Sequence, residues 1–200
     1  MTGHRRKNLK LMRIAGVSGI SGSVFVIIMV LLATFVSPWF SWEENALSEL
    51  GVGEVSLFFN CAVLVGGLLV FFFAFGVKEY LDEEPKVKLG IVSFMLASLC
   101  LVFVAVFTID YPFTHGLVSL GYFLLGPIGL ILIGLGTENV PVKKMSFVLG
   151  IAALITILVL PIVFLVSPLH VGFAIPELIH SLIVGMWTIN MSLKLLSYSF

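Results

Sequence analysis

The distribution of positive charge constrains this chain more than any other feature of its sequence. The 11 lysines and arginines fall in the N-terminal tail, in two short connections and near the C-terminus, and long apolar stretches separate these groups. Short loops that carry lysine and arginine stay on the cytoplasmic side of a membrane during insertion. The pattern therefore predicts both a membrane-spanning topology and its orientation.

The composition also indicates a lipid environment. The chain is 60% hydrophobic and 11% charged, with a mean hydropathy of +1.17, whereas a soluble domain has about 25% charged residues. Because 200 residues of this composition cannot cover themselves with a polar surface, lipid has to be the outer solvent. The net charge is zero and no basic patch exceeds what the topology needs, which argues against nucleic-acid binding.

Six apolar segments are long enough to cross a bilayer, whose hydrocarbon core of about 30 Å needs about 20 helical residues. We predict spans over residues 14–36, 55–77, 89–109, 115–136, 145–167 and 176–197. Because the connections are short, consecutive helices become antiparallel neighbours, and we expect one all-α transmembrane domain over residues 1–200 that forms a six-helix bundle. An even number of spans puts both termini on one side, which the charge pattern makes the cytoplasmic side of a cell membrane.

The connection after the first span carries helix signals of its own. Ser41 and Glu44 have the spacing of a capping box, apolar residues recur after them at helical intervals, and Gly51 suits a helix stop. We therefore expect a short amphipathic helix over residues 42–50 that lies on the outer surface.

The first span carries a face of small residues, formed by Gly16, Gly19 and Gly22. Small residues let two helix backbones approach closely, which favours helix association within lipid. This face is therefore a candidate contact for a homo-oligomer. Membrane lipids are the other partners that we expect.

Most side chains that could do chemistry lie on the outer side of the predicted topology. Glu177 and His180 share one face of the sixth span, three residues apart. Ionisable side chains at such depth normally face a bundle interior or a wet cavity. We expect both to belong to an extracytoplasmic pocket, whose lining residues would be Ser48, Asn60, Asp110, His115, Glu177 and His180.

One function that fits such a pocket is metal-dependent hydrolysis of lipid headgroups. Histidine and carboxylate side chains bind zinc and leave a position for water, which then attacks an ester or an amide. The candidate zinc ligands are Asp110, His115, His170 and His180. With Glu177 as the general base, the candidate catalytic residues are Asp110, His115, Glu177 and His180.

Two other functions fit the same residues. In a transporter for a small solute or for protons, Glu177 and His180 would form a protonatable pair. In a structural protein, Asp110 and His115 would cap and solvate a tight loop, and His180 would be a buried histidine bonded to Glu177 or Asn60. The residues alone do not choose among these three functions.

Short motifs along the chain resemble one membrane-protein family. They are the run Asn45-Ala46-Leu47-Ser48-Glu49-Leu50-Gly51, then Phe59-Asn60, and then Asp110 followed by His115-Gly116. Together they resemble the archaeal and bacterial membrane proteins known as domain of unknown function 998, over nearly the whole chain. The resemblance implies a bundle of about six helices with no established activity. The positions that match the pattern of this family are Ser48, Asn60, Asp110 and His115.

A looser similarity links the chain to transmembrane hydrolases of the alkaline ceramidase type. Those enzymes use a serine, an aspartate and three histidines around a zinc ion. The similarity implies such roles for Ser48, Asp110, His115, His170 and His180. The chain departs from these enzymes in having six predicted spans where they have seven, and in lacking their paired His-x-x-x-His on a late helix.

Overall fold

The computed structural model describes residues 7–81, 84–166 and 172–199. These residues form long α-helices joined by short connections, and they contain no strand. The helices are α1 (Leu9–Phe35), α2 (Ser56–Tyr80), α3 (Pro85–Val106), α4 (Pro112–Gly136), α5 (Val140–Val166) and α6 (Ala174–Tyr198). A short 3-10 helix, Leu47–Gly51, lies in the connection between α1 and α2.

Each of the six helices in the described part of the chain is long and apolar enough to cross a membrane. This confirms the prediction of an all-α membrane protein with six spans. Most helices begin before the predicted span, because a helix continues through the polar residues that flank its apolar stretch. For example, α1 includes Lys10 and Arg13, and α5 includes Lys143 and Lys144.

The helices form a ring in chain order. Each helix packs against the next one, and α6 closes the ring by packing against both α5 and α1. The ends of α1, α3 and α5 and the starts of α2, α4 and α6 lie at one end of the bundle, which we call the loop end. The starts of α1, α3 and α5 and the ends of α2, α4 and α6 lie at the opposite end, which we call the terminal end.

Contacts of Lys7 show how the terminal end is held together. The Nζ atom of Lys7 donates a hydrogen bond to the carbonyl oxygen of Tyr80 at 2.7 Å. The same ammonium lies over the rings of Tyr80 and Tyr198, at 5.2 and 4.9 Å from the ring centroids. Through these contacts, Lys7 joins the start of α1 to the ends of α2 and α6.

The half of the bundle nearer the termini has a close-packed core around Trp187 on α6. This side chain is fully buried, and its ring centroid lies 6.0 Å from that of Phe73 on α2 and 5.0 Å from that of Phe94 on α3. Its indole Nε1 donates to the hydroxyl of Ser146 on α5 at 2.8 Å. One residue thus joins four helices of the ring.

The small residues of α1 pack inside the chain. Gly16, Gly19 and Gly22 are all buried. A Cβ atom added to Gly16 would lie 2.9 Å from Leu196 Cγ on α6, and one added to Gly22 would lie 2.9 Å from Leu69 Cβ on α2. The face that suggested a homo-oligomer contact is therefore occupied by two neighbouring helices of the same chain.

The connection between α1 and α2 differs in detail from the helix predicted over residues 42–50. Its helical part is the 3-10 helix Leu47–Gly51, and the capping carboxylate is Glu49, whose Oε1 accepts from the Ala46 amide at 2.8 Å. The residues before it pair with the start of α6 instead. The Gly172 amide donates to the Glu43 carbonyl, and the Ala174 amide donates to the Asn45 carbonyl at 3.0 Å.

This pairing explains why the helix is short. A helix through residues 43–46 would need the backbone carbonyls of Glu43 and Asn45 for its own hydrogen bonds, and both are taken by α6 and its preceding residues. Leu47 and Leu50 are buried, so the segment is inserted into the loop end and does not lie flat on its surface. We call residues 41–51 the lid.

Candidate functional site

A cavity of about 70 Å³ lies beneath the lid in the loop half of the bundle. We call it the outer cavity. Helices α1, α2, α3, α4 and α6 and the lid supply its wall. Valine side chains and aromatic rings dominate that wall, among them Val30, Val63, Val104, Phe59, Tyr122 and Phe123. The loop half therefore contains apolar empty space where the terminal half contains Trp187.

One carboxylate among the described residues, that of Glu177, belongs to the wall of the outer cavity. Its Oε2 accepts a hydrogen bond from the Leu47 amide of the lid at 2.6 Å, across 130 residues of sequence. Glu177 lies in the first turn of α6, where the helix dipole favours a negative charge. The contact ties the lid to α6 directly above the cavity.

A second carboxylate lies close to the first. Glu49 of the lid accepts hydrogen bonds from the Asn45 side-chain amide at 2.7 Å and from the Ala46 backbone amide at 2.8 Å. It is near enough to act electrostatically on Glu177. The donors to both carboxylates are neutral amides, and the sequence places every lysine and arginine at the terminal end or in the tail before α1.

A second cavity, of about 50 Å³, adjoins the first and reaches towards the middle of the bundle. We call it the inner cavity. The two share five wall residues, which are Val26, Ile27, Leu101, Tyr122 and Ser181. The inner cavity also meets Ser98 and Thr188, whose hydroxyls donate to backbone carbonyls of their own helices. Phe94, which packs on Trp187, belongs to its wall.

His180 is fully buried beside the wall of these cavities. Its ring lies between Tyr122 and Phe123, with centroid distances of 5.4 and 5.0 Å. Its Nδ1 lies 3.2 Å from the carbonyl oxygen of Ala153 on α5, which can only accept, so the proton is on Nδ1. Its Nε2 has no protein partner within the described residues. The predicted partners, Glu177 and Asn60, are therefore wrong, because α5 supplies the hydrogen bond.

Asp110 belongs to the turn between α3 and α4, and His115 lies in the first turns of α4. Asp110 is exposed and accepts from the hydroxyl of Thr108 at 3.2 Å. His115 Nδ1 donates to the carbonyl oxygen of Phe107, at the end of α3, at 2.8 Å, and its Nε2 lies 3.3 Å from the hydroxyl of Ser119. Both residues make the local contacts expected of a loop and helix cap.

The other two predicted pocket residues are at the lid. Ser48 belongs to the wall of the outer cavity together with Glu177. Asn60 lies on α2, and its side-chain amide donates to the carbonyl oxygen of Gly51 at 2.9 Å. Asn60 therefore holds the end of the lid, and its Oδ1 has no protein partner among the described residues.

The predicted zinc ligands do not form a group in the part of the chain that the structure describes. There, no set of three histidine, cysteine, aspartate or glutamate side chains is arranged to hold a metal ion. Asp110 and His115 lie at the α3–α4 turn, while His180 lies between rings inside the bundle. His170 lies outside the described residues, so the complete set stays a prediction.

Comparison with known proteins gives one match. The model of the family described as Protein of unknown function (DUF998) matches residues 20–194. This chain belongs to the DUF998 family. The matched range includes every residue that lines the two cavities, from Ser23 to Thr188. No curated protein and no solved structure matches the chain.

Several wall residues of this DUF998 protein were missed by reasoning from its sequence. Tyr122 is the clearest, since its hydroxyl donates to the Ser181 hydroxyl at 3.3 Å across the boundary between the two cavities. A signal was present, because a tyrosine inside an apolar span needs a partner for its hydroxyl. Phe59 and Val63 gave no such signal, because apolar residues on a membrane helix face lipid, a core or a cavity alike.

Proposed function

We propose that this protein binds the apolar chain of a small amphipathic molecule in the loop half of its bundle. The outer cavity is the observation that carries the proposal. Ligand sites are mostly apolar concave spaces with a few placed polar groups. The outer cavity has this character, with valine and aromatic side chains along its wall and Glu177 beneath the lid.

An empty apolar cavity is unfavourable in a protein interior, which is otherwise close-packed. The volume of about 70 Å³ beneath the lid therefore has a cost while it is unfilled. An apolar occupant recovers that free energy. The inner cavity extends the available space along the bundle, so an elongated hydrocarbon chain suits it better than a compact ring system.

The polar end of the molecule would lie at the lid. Glu177, Ser48 and Ser119 supply polar groups in the wall of the outer cavity. The inner cavity continues towards Phe94 and away from the lid. An amphipathic molecule therefore fits with its headgroup towards Glu177 and its chain pointing to the middle of the bundle.

The orientation in the membrane is part of the proposal. Connections rich in lysine and arginine stay in the cytoplasm, which puts the terminal end there and the loop end outside. In this orientation the lid faces the extracytoplasmic side of a cell membrane. The Glu177 pocket then takes its ligand from that side or from the outer leaflet.

Transport of the same molecule is a second candidate function. The inner cavity favours it, since it carries the apolar space beyond the outer site. Transport also requires the packed layer of Trp187, Phe73 and Phe94 to open. Hydrolysis of a lipid headgroup at a zinc ion stays a prediction from the sequence.

A filled cavity tests the proposal. The probe is tritiated dodecanol, measured by direct binding to protein in micelles of a steroid-based detergent whose rigid apolar part differs from an alkyl chain. Val63→Phe places a phenyl ring in the outer cavity, where Val63 is 3% exposed. Val65→Phe is the matched control, because Val65 is on the same helix and is 40% exposed on its outer face.

We expect Val63→Phe to weaken dodecanol binding by about tenfold or more, a loss of at least about 1.4 kcal/mol. Val65→Phe should bind as the wild-type protein does. Thermal unfolding of both variants without ligand shows that each is folded. Wild-type affinity in a folded Val63→Phe variant, or an equal loss in both variants, would contradict the proposal.

A further inference from the structure

We infer that the ligand of the outer cavity is an alkylammonium amphiphile, a molecule with one hydrocarbon chain and a positively charged amine or quaternary ammonium headgroup. This inference rests on the proposed function, since it assigns the headgroup of the molecule whose chain the cavity binds. Three features of the loop end support it: its charge, the position of Glu177 beside apolar space, and the rings in the cavity wall.

The charged side chains of the loop end are all acidic. The sequence places Glu43, Glu44, Glu49, Glu54 and Asp110 in the loop-end connections, and it places no lysine or arginine in any of them. A mouth surrounded by one sign of charge raises the local concentration of the opposite ion. The loop end therefore attracts cations and repels anions before any contact is made.

Glu177 brings a further carboxyl group to the cavity itself. It is in the wall of the outer cavity, Glu49 acts on it electrostatically, and the Leu47 amide that it accepts from is neutral. Negative charge beside low-dielectric apolar space is costly unless a positive charge compensates it. The chain offers no lysine or arginine at this end, so a cationic headgroup can supply what the protein lacks.

Aromatic rings complete the recognition chemistry. Phe59, Tyr122 and Phe123 all belong to the wall of the outer cavity. The face of an aromatic ring attracts an ammonium ion, and desolvation strengthens the attraction. Rings combined with a carboxylate suit an alkylammonium group, whose charge is surrounded by carbon. A carboxylate or phosphate headgroup would meet repulsion from Glu177 and Glu49 in the same place.

A matched series of probes tests this assignment. Dodecyltrimethylammonium, dodecanol and dodecanoate carry the same chain with a positive, a neutral and a negative headgroup. Their binding is measured directly, in the same steroid-based micelles, for the wild-type protein and two variants. Glu177→Gln removes the charge in the cavity wall, and Glu54→Gln removes an exposed charge of the same loop end that is outside both cavity walls.

In the wild-type protein we expect the cation to bind about tenfold more tightly than dodecanol, as one charge-assisted contact allows, and dodecanoate to bind least. The cation-to-dodecanol affinity ratio should fall several-fold in Glu177→Gln, where only the rings and Glu49 still attract the cation, and should be unchanged in Glu54→Gln. Because each ratio is taken within one variant, partitioning into micelles and a general loss of affinity do not affect it.

The outcomes separate this inference from the proposed function. Equal binding of all three probes by the wild-type protein, or tightest binding of dodecanoate, overturns the alkylammonium assignment and leaves an amphiphile site. A preference for the cation that is as large in Glu177→Gln as in the wild-type protein also overturns the assignment. Saturable binding of none of the three probes overturns the proposed function itself.

Discussion

The two halves of this bundle contain the same apolar residue types but pack them differently. In the terminal half, Trp187 packs on Phe73 and Phe94, and these rings fill the space between helices. In the loop half, Phe59, Tyr122 and Phe123 stand around a space of about 70 Å³. Hydrophobicity therefore places all these residues in the membrane, but packing decides which half is filled and which half keeps empty space.

A pair of glycines contributes to the close packing of the terminal half. In the terminal half, a Cβ atom added to Gly129 of α4 would lie 2.7 Å from the carbonyl oxygen of Gly90 on α3. These two glycines let the backbones of α3 and α4 approach. Near the loop end, Gly116 of the same α4 has no neighbouring atom within 4 Å of such a Cβ. Gly116 is exposed on the outer face of α4, so the space beside it lies outside the bundle.

Truncation of one phenylalanine in each half should give the largest difference. Phe73→Ala opens a void in a filled core, where the side chain is fully buried against Trp187 and Phe94, and should lower the free energy of unfolding by about 3–5 kcal/mol. Phe59→Ala removes a ring that already borders empty space on one side, so it loses fewer contacts and should cost less than Phe73→Ala. Unfolding in mixed micelles with a rising SDS fraction measures both values.

The two phenylalanines are a close match, since both are on α2 and both are buried. Equal losses for the two variants, or a larger loss for Phe59→Ala, would mean that the loop half is as well filled as the terminal half. Tyr122→Phe, which removes only the hydroxyl bonded to Ser181, serves as a control that retains the ring.

A smaller effect, of opposite sign in the two halves, is expected from adding one methyl group to α4. Gly129→Ala would force the Gly90 backbone away and should destabilise the protein by about 1–3 kcal/mol. Gly116→Ala meets open space in a helical position and should stabilise it by about 0.5–1 kcal/mol. The same unfolding assay compares them, and stabilisation by both substitutions would contradict the tight approach of Gly129 to Gly90.

The six spans could be predicted because they depend on local properties of the sequence. Apolar runs long enough to cross the bilayer and basic residues between them identify α1 to α6 without any knowledge of which helices touch. The inward position of Glu177 and His180 was predictable for a related reason, since ionisable groups within a span turn away from lipid. The short helix between α1 and α2 was predicted in the correct connection but over residues 42–50, whereas the helical part is Leu47–Gly51.

The cavity could not be predicted, because it depends on contacts between residues far apart in the sequence. The hydrogen bond from the Leu47 amide to Glu177 joins residues 130 positions apart, and no local sequence pattern predicts it. The pairing of Glu43 and Asn45 with the start of α6 shortens the lid helix in the same non-local way. His180 is hydrogen-bonded to the backbone carbonyl of Ala153. Because every residue has a backbone carbonyl, the sequence does not indicate which one accepts this bond.

Locating a bound chain tests the difference between the two halves most directly. The measurement is the anomalous scattering of bromine in crystals of the wild-type protein grown with dodecanol that carries a terminal bromine. We expect one bromine site inside the ring of helices, between Val63 of the outer cavity and Phe94 of the inner cavity. Bromine found only on the outside, for example beside the exposed Leu57 and Phe58, with empty space remaining beneath the lid, would contradict the account.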